Sequence, residues 1–441
     1  MSRQVHSERF LDFPGLIHLF KYRFQLLEEF LFLLSFKLSA GYDHYANDIG
    51  AHAWETGAYD LQTFIRQAFL KAGAVKPIGS HTLSYGLNVV GYMLDPGIMN
   101  PFGELSDVKG VSLDRDLGVE PSLYLSDNWA ITDQFSVDGG VRLSSFLALN
   151  PSKFYIGPEV RLSTKYSPLE NLSFKAGFNT MRQYIHLISN TASVSPMDTW
   201  RLSSAEIAPT TGWQGAAGAY WTLLGAGVDL SVEGYYKQSQ NGLDYKNGAI
   251  LSMNPNLADD LVPVYGRAYG VEVMVKKPAG SLTGWLSYSY SRSQLREMLD
   301  RGNETINHGA WYNAPYDKPH EFKLVANYAF THRFSFSVNV DYSTGRPLTV
   351  PVGRYLYGGT YRLAYSERNS HRIPDYFRLD LAVNIDPGHY LRQFSHMSWT
   401  IGVYNVTARK NAYSIFFDGT ESYLLSVFAY PIPYINLNLI F

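Results

Sequence analysis

Arginine, histidine and aromatic side chains collect in or beside three long segments of this 441-residue sequence, at 185–210, 295–318 and 346–372. An arginine guanidinium binds carboxylates and phosphates through a planar fork of donors, and Tyr and Trp rings offer large flat surfaces with a polar tip. Such residues suit sugars or anionic chelates, although they could equally pack one segment against another. The candidate ligand-binding residues are Arg182, Tyr184, His186, Trp200, Trp311, Tyr312, Arg346, Arg354 and Tyr357.

Catalysis and metal binding have little support in the sequence. There are no cysteines, which excludes thiolate chemistry, and the 12 histidines are scattered without a metal-ligand spacing. Neither a GxSxG nor a GxGxxG motif stands out. The net charge of −2 provides no electrostatic attraction to nucleic acid. We therefore predict that the protein is not an enzyme, has no cofactor or metal site and does not bind nucleic acid.

The stretches that flank these segments alternate apolar and polar residues with a period of two. Between Phe334 and Ser343, for example, every second residue is Phe, Val or Tyr, and the residues between them are Ser, Asn or Asp. This alternation is the primary signal of a strand with one apolar and one polar face. The sixteen predicted strands lie near 33–45, 60–71, 80–94, 117–132, 135–147, 154–166, 172–184, 211–224, 227–240, 263–277, 281–294, 319–330, 333–345, 373–386, 396–408 and 431–441.

The lengths of the strands and of their connections favour a membrane barrel over a soluble sandwich. The strands exceed the usual 5–6 residues and suit a tilted membrane crossing. Short links such as Asp133-Gln134 and Gly225-Ala226 alternate with long ones such as 185–210 and 241–262. Outer-membrane barrels have short turns at one end and long loops at the other, and they close because hydrocarbon cannot satisfy free backbone groups. We therefore predict an all-β, antiparallel up-and-down transmembrane β-barrel of about 16 strands over residues 33–441, with residues 1–32 unassigned.

The composition agrees with that fold. Aromatic residues make up 15% of the chain and charged residues only 17%, against about 25% charged residues in an average soluble domain. The apolar faces would contact lipid and the polar faces would line a lumen. Aromatic residues near strand ends would form interfacial belts. The predicted belt residues are Trp129, Tyr166, Tyr220, Trp221 and Tyr328.

The chain ends on PIPYINLNLIF, an alternating strand with a terminal aromatic residue. Leu437, Leu439 and Phe441 lie on one face of that strand. This ending resembles the signal that the barrel-assembly machinery of Gram-negative outer membranes recognises. We therefore predict that these three residues form an assembly signal and that the protein is located in the outer membrane.

Several stretches resemble the C-terminal barrel of TonB-dependent outer-membrane receptors, of the kind common in Bacteroidetes. The resemblance covers roughly residues 33–441 and is most specific after residue 263. The stretches that carry it are GRAYGVEVMVKKPAGSLTGWLSYSYSRS (266–293), YDKPHEFKLVANYAFTHRFSFSVNVDYSTGRPLTVPVG (316–353), RIPDYFRLDLAVNID (372–386) and WTIGVYNVTARKNAYSIFF (399–417), with similar stretches at 122–146 and 181–190.

This resemblance implies a 22-stranded barrel with an N-terminal plug that imports siderophores, cobalamin or glycans. Counted back from Phe441, the sequence would contain the last sixteen strands, so we expect a truncated receptor without the plug and the first strands. The implied partners are outer-membrane lipid, the assembly machinery, the TonB system, a plug or missing-strand fragment, a surface lipoprotein, and a small-molecule or glycan ligand. Three alternatives stay open: a non-transporting barrel that displays binding loops, a passive porin-like channel, and a soluble all-β binding domain.

Overall fold

The computed structural model describes residues 35–52, 55–188, 199–386, 396–418, 421–427 and 429–440. The unassigned segment 1–32 and Phe441 lie outside these ranges. The helical elements described are one α-helical turn, Leu257–Asp260, and three 3-10 turns, Glu55–Gly57, Gly302–Glu304 and Ile306–Gly309. Within the described ranges, no helix has the length and apolar character needed to span a membrane.

Strands dominate the described part of the chain. They are, in chain order, β1 (Ser35–Ala51), β2 (Tyr59–Ile78), β3 (His81–Pro101), β4 (Val111–Ser112), β5 (Asp116–Ala130), β6 (Phe135–Leu149), β7 (Ser152–Leu169), β8 (Leu172–Gln183), β9 (Ile185–Ile188), β10 (Thr199–Leu202), β11 (Thr210–Leu223), β12 (Val228–Tyr245), β13 (Leu261–Lys277), β14 (Leu282–Glu297), β15 (Tyr312–Asn313), β16 (His320–Thr331), β17 (Phe334–Ser343), β18 (Pro347–Leu348), β19 (Pro351–Tyr357), β20 (Thr360–Tyr365), β21 (His371–Arg372), β22 (Tyr376–Ile385), β23 (His396–Tyr404), β24 (Asn411–Asp418), β25 (Glu421–Val427) and β26 (Ile432–Ile440).

Eighteen of the described strands form one antiparallel sheet, in which β4 and β15 have two residues each. The other sixteen pair with their neighbours in chain order. They are β1, β2, β3, β5, β6, β7, β8, β11, β12, β13, β14, β16, β17, β22, β23 and β26. Each strand predicted from alternation overlaps one of them. The up-and-down antiparallel sheet of about 16 strands is therefore confirmed. The remaining strands form small hairpins in the connections: β9–β10, β18–β21, β19–β20 and β24–β25.

One face of the sheet is apolar and exposed. In the register of β3, β5 and β6, Leu87 lies opposite Leu123, and Leu123 lies opposite Leu143. Leu123 and Leu143 are 60% and 46% exposed, so much of this row is left uncovered by the described part of the chain. Large exposed apolar side chains are costly in water, whereas lipid tails are their natural environment in an outer-membrane barrel.

The opposite face, which we call the inner face, carries polar and charged side chains. Arg142 on β6 donates to the Ser122 hydroxyl at 2.9 Å, and the Tyr92 hydroxyl donates to the Glu120 carboxylate at 3.0 Å. These residues alternate with the exposed leucines along the same strands. The alternation predicted from sequence is therefore the alternation between the exposed apolar face and the polar inner face.

Four of the five predicted belt residues lie on the apolar face, as an aromatic belt requires. Trp129, Tyr166, Trp221 and Tyr328 lie on the apolar face near the short turns and are 42–46% exposed. The assignment of Tyr220 to this belt is wrong. Its ring lies on the other face, 4.5 Å from the Lys175 ammonium, because adjacent strand residues point to opposite sides and Trp221 takes the outer position.

The long connections all lie at one end of the sheet, which we call the loop end. The turns at the opposite end are short, as in Gly79-Ser80 and residues 224–227. One short turn, Asn150-Pro151, also lies at the loop end, and the link 387–395 lies outside the described residues. The long connections are 102–115, 184–209, 246–260, 298–319, 344–375 and 405–431.

Candidate functional site

The connection after β8 folds onto the inner face of the sheet. Arg201 on β10 donates from Nε and Nη2 to the carboxylate of Asp116 on β5, at 2.8 and 3.2 Å. The same carboxylate accepts a hydrogen bond from the backbone N–H of Leu202 at 2.9 Å. Three donors converge on one side chain, and this fixes the β9–β10 hairpin to the wall. The hairpin therefore forms part of the interior at the loop end.

A buried apolar cluster supports the hairpin. Tyr184, a predicted ligand-binding residue, stacks on Phe146 of β6 with ring centroids 4.9 Å apart, and its hydroxyl lies 3.0 Å from that of Ser144. Trp200, also predicted, packs against the edge of this cluster. Both residues thus lie in supporting positions behind the pocket described below. The buried members of the cluster are Leu94, Phe146, Ala148, Tyr184 and Leu202.

His186 lies on the same hairpin and is buried. Its Nε2 lies 2.9 Å from the Ser203 hydroxyl and its Nδ1 lies 3.4 Å from the Thr210 hydroxyl. Burial lowers the pKa of His186 to about 4. The imidazole is therefore neutral at pH 7 and serves as a hydrogen-bonding group, not as a cation.

A cavity of about 920 Å³ lies at the loop end between β8, β11, β12, β13 and β14, and we call it the loop-end pocket. Among the lining residues that the structure describes, Asp244 is the single carboxylate. The predicted residues Arg182, His186 and Arg346 line this pocket, together with amide side chains such as Gln238. The basic lining residues are Arg182, Lys237, Arg267, Arg346 and Arg368.

The charge of Asp244 is already engaged by protein groups. Arg368 Nη1 donates to one carboxylate oxygen at 2.5 Å and the Tyr312 hydroxyl donates to the other at 2.5 Å. Burial, together with the Asp244 charge, raises the pKa of Tyr312, which stays a neutral donor. Tyr312 was predicted to bind ligand, and the structure places it behind the pocket as a partner of Asp244.

Arg368 connects three loops at the edge of the pocket. Its Nη2 donates to Asn247 at 2.7 Å, and its guanidinium lies 4.4 Å from the ring centroid of Tyr245. Its backbone N–H donates to the Asn307 side chain at 2.8 Å. The loops 246–260, 298–319 and 344–375 thus meet at one buried arginine.

Trp311 supports the pocket from behind. The guanidiniums of Arg267 and Arg296 lie 4.1 and 4.9 Å from the centroid of its ring. Arg267 also donates from Nε and Nη2 to Gln294, at 2.9 and 2.7 Å. These contacts hold Arg267 in one orientation at the pocket wall.

Two predicted ligand residues lie away from the pocket. Arg354 and Tyr357 belong to the exposed β19–β20 hairpin, where Arg362 stacks over the Tyr357 ring at 5.5 Å. Of the predicted assembly signal, Leu437 and Leu439 lie on β26 opposite Trp399 and Met397. The structure thus brings three of the nine predicted binding residues to the pocket, with four in supporting positions and two on that hairpin.

The sequence prediction missed Lys237, Arg267, Asp244 and Arg368. The first two are on strands β12 and β13, and the prediction considered only connecting segments. Strand alternation carried a usable signal for Lys237, which it assigns to the polar face near the loop end, but not for Arg267, which has the same parity as the apolar-face residues Tyr269 and Val271. In the described ranges, no group of three or more His, Cys, Asp or Glu side chains is arranged to hold a metal ion.

Comparison with protein families gives a match over most of the chain. A family described as TonB dependent receptor-like, beta-barrel matches residues 7–406. No curated protein sequence matches significantly.

Solved structures with similar folds include two receptors and one transporter. They are the ferric-catecholate import receptor Fiu from E. coli K12 (TM-score 0.58, 13% identity), the ferripyoverdine receptor of the outer membrane of Pseudomonas aeruginosa (0.57, 14%) and the copper transporter OprC (0.64, 11%). The alignments cover 92–93% of this chain but 61%, 53% and 63% of those chains. The chain thus spans less than two thirds of their length, and at this identity the likeness shows the fold.

Proposed function

This chain belongs to the TonB-dependent receptor β-barrel family, and we propose that it forms the barrel of an outer-membrane import receptor whose loop-end pocket binds an anionic small molecule. The observation that supports this proposal is the charge of the pocket. Five basic residues line it, against one carboxylate that already pairs with Arg368. A concave site with an excess of one charge attracts ligands of the opposite charge.

Of the five cations, Arg368 alone forms an ion pair with a carboxylate in the described part of the chain, so four positive charges remain available to a ligand. Arg182 and Lys237 line the pocket, and in the described part of the chain neither forms an ion pair with a carboxylate. Gln238 and Gln294 add uncharged hydrogen-bonding groups to the wall. A phosphate, sulfonate or carboxylate group would therefore find charge and directional donors together.

The cargo cannot be carried over from the similar structures, since their names specify ferric-catecholate, ferripyoverdine and copper for one shared fold. Pocket chemistry selects the cargo on such a scaffold. Within the proposal, siderophores and other anionic chelates fit the basic wall better than cobalamin or neutral glycans do. Energy coupling through a TonB system, with a plug domain, is part of the same proposal.

Binding of a fluorescent anion tests this assignment. We would measure the anisotropy of the trisulfonated dye pyranine with purified protein in a nonionic detergent. We expect the double variant Arg182→Gln, Lys237→Gln to bind at least about tenfold more weakly, because each lost unit charge near 4 Å contributes on the order of 1 kcal/mol in water-like surroundings. Arg354→Gln, on the exposed hairpin, should bind as the wild type does. Equal affinity in all three proteins would refute the anion site.

A second candidate function is a non-transporting barrel that displays binding loops. The β9–β10 hairpin favours it, because it packs on the inner face and narrows the interior at the loop end. Conductance in planar bilayers separates the two functions. A barrel that passes solutes should conduct ions, whereas a display scaffold with a filled lumen should not.

A further inference from the structure

A second cavity of about 460 Å³ lies at the loop end, beside the loop-end pocket. It lies between the loop-end parts of β17 and β22 and the start of β24. Its basic lining residues are Lys318, Arg346 and Arg378. None of the lining residues that the structure describes is acidic. We call this cavity the side pocket.

The cations of the side pocket differ in what they already bind. Arg378 donates to the buried Asp380 at 3.0 Å, so its charge is largely compensated. Arg346 donates to the backbone oxygen of Tyr413 and to the Ser414 hydroxyl, both of which are uncharged. Lys318 has no carboxylate partner among the described residues. Two positive charges therefore face the side pocket without a counter-charge.

The two asparagine side chains that line the side pocket already have hydrogen-bond partners. Asn411 uses its amide on both backbone groups of Phe377, each at 3.0 Å. Asn405 donates to the Arg409 backbone oxygen at 3.1 Å. A bound solute would therefore meet Lys318 and Arg346 as the principal donors, and this selects for anions.

A buried aspartate holds the chain between one lining residue of each cavity. Tyr316 lines the loop-end pocket and Lys318 lines the side pocket. Asp317 between them is buried, accepts a hydrogen bond from the Ser293 backbone N–H at 2.6 Å and forms an ion pair with Arg372. Arg346 is the one basic residue that lines both cavities in the described part of the chain.

We infer that the side pocket is a second anion-binding subsite and that Arg346 joins it to the loop-end pocket, so that an anionic solute can occupy two neighbouring positions at the loop end. The expected ligand group is a phosphate, sulfonate or carboxylate. The inference rests on the proposed function only for the assumption that the solute is anionic. Apart from Arg346, the described residues that line the side pocket do not line the loop-end pocket.

Calorimetric titration with inorganic pyrophosphate tests this inference on the full chain in detergent. Wild-type protein should bind two ions, Lys318→Gln should bind one, and Lys318→Arg should restore the second. Arg182→Gln should weaken the other site, and Arg346→Gln should weaken both. The control Lys109→Gln, an exposed lysine that lines neither cavity, should bind two.

The outcomes distinguish the two ideas. A Lys318→Gln variant that binds pyrophosphate as the wild type does overturns the second subsite, and so does an equal loss in Lys109→Gln. If Arg182→Gln changes nothing while Lys318→Gln removes a site, the proposed function fails and the subsite stands.

A measurement on wild-type protein covers the case of a variant that does not fold. Pyrophosphate should slow acylation of Lys318 at least severalfold by mass spectrometry and leave Lys109 unchanged, and equal labelling with and without the ion refutes the subsite.

Discussion

Arg201 and Asp116 are 85 positions apart in the sequence, yet they form a two-pronged ion pair at 2.8 and 3.2 Å. Asp116 begins a wall strand and Arg201 lies on the hairpin that follows β8. The pair therefore joins a loop to the inside of the barrel wall, next to the pocket that we propose binds an anion.

Removing the charge of Asp116 should release the hairpin. Asp116→Asn leaves Arg201 in a partly buried position without its carboxylate, and losing one partner of such a pair costs about 3 kcal/mol. The backbone N–H of Leu202 should then exchange with solvent much faster, measured by hydrogen exchange and mass spectrometry. The matched control is Asp133→Asn in an exposed short turn, which should leave that exchange unchanged. Protection of Leu202 that survives in Asp116→Asn would show that the pair does not hold the hairpin.

The stack of Tyr184 on Phe146 should contribute more than the Tyr184 hydroxyl does. Tyr184→Phe loses one hydrogen bond, worth about 1 kcal/mol, whereas Tyr184→Ala opens a cavity in a buried cluster at about 3–5 kcal/mol. The measurement is the temperature at which the folded form changes its gel mobility in SDS. We expect a small decrease for Tyr184→Phe and a clearly larger one for Tyr184→Ala. Equal decreases would mean that the ring packing contributes little.

Acid should weaken the hairpin through His186. A histidine in an unfolded chain titrates near 6.5, whereas the folded protein holds the pKa of His186 at about 4. At a pH between these two pKa values, His186 is protonated more readily when the hairpin is open than when it is closed. The stabilisation is thus complete above about pH 6.5 and decreases as the pH falls to about 4, by up to roughly 3 kcal/mol.

Hydrogen exchange of the hairpin between pH 7 and pH 4, corrected for intrinsic rates, measures this loss. His186→Gln should flatten the dependence, because glutamine does not titrate, and His332→Gln in an exposed short turn should keep the wild-type profile. A wild-type hairpin whose opening is independent of pH across this range would contradict the assignment of a buried neutral imidazole.

Arg368 should hold three loops together. Arg368→Ala leaves Asp244 buried without its cation, which costs about 3–5 kcal/mol when one partner of a buried pair is removed. We expect faster protease cleavage within 246–260 and 344–375. Arg368→Lys keeps the charge but cannot reach Asp244 and Asn247 together, so cleavage should be intermediate. Arg354→Ala on the exposed hairpin is the control, and it should leave the cleavage of 246–260 unchanged.

A charged substitution on the apolar face should reduce the folding yield. Leu123→Arg places a cation in the lipid-facing row, at a cost of about 2–4 kcal/mol near the bilayer midplane. The same substitution on the polar face, Ser163→Arg, should be tolerated. Folding yield in vesicles, scored by heat-modifiable mobility, distinguishes the two. Similar yields for both variants would show that the leucine row does not contact hydrocarbon.

Much of the architecture could be read from the sequence because its signal is local. Alternation with a period of two needs only neighbouring residues, and it located all sixteen wall strands and the position of the long loops. The error at Tyr220 came from reading aromatic composition near a strand end without applying the same alternation to Trp221.

The binding site was only partly predictable, since it depends on contacts between distant parts of the chain. Arg182, His186 and Arg346 were recognised by residue type, but the same criterion selected Tyr184 and Tyr312, which are buried partners of other side chains. Lys237 and Arg267 reach the pocket through the register between β12 and β13. No local pattern encodes that register or the docking of one loop on another.

The sequence by itself determined that this chain forms long two-faced strands joined alternately by short turns and long loops, because side-chain alternation is a property of each segment. The tertiary structure alone decided which charges meet, since the pairing of Asp116 with Arg201 and of Asp244 with Arg368 depends on how loops fold over a wall built from the whole chain.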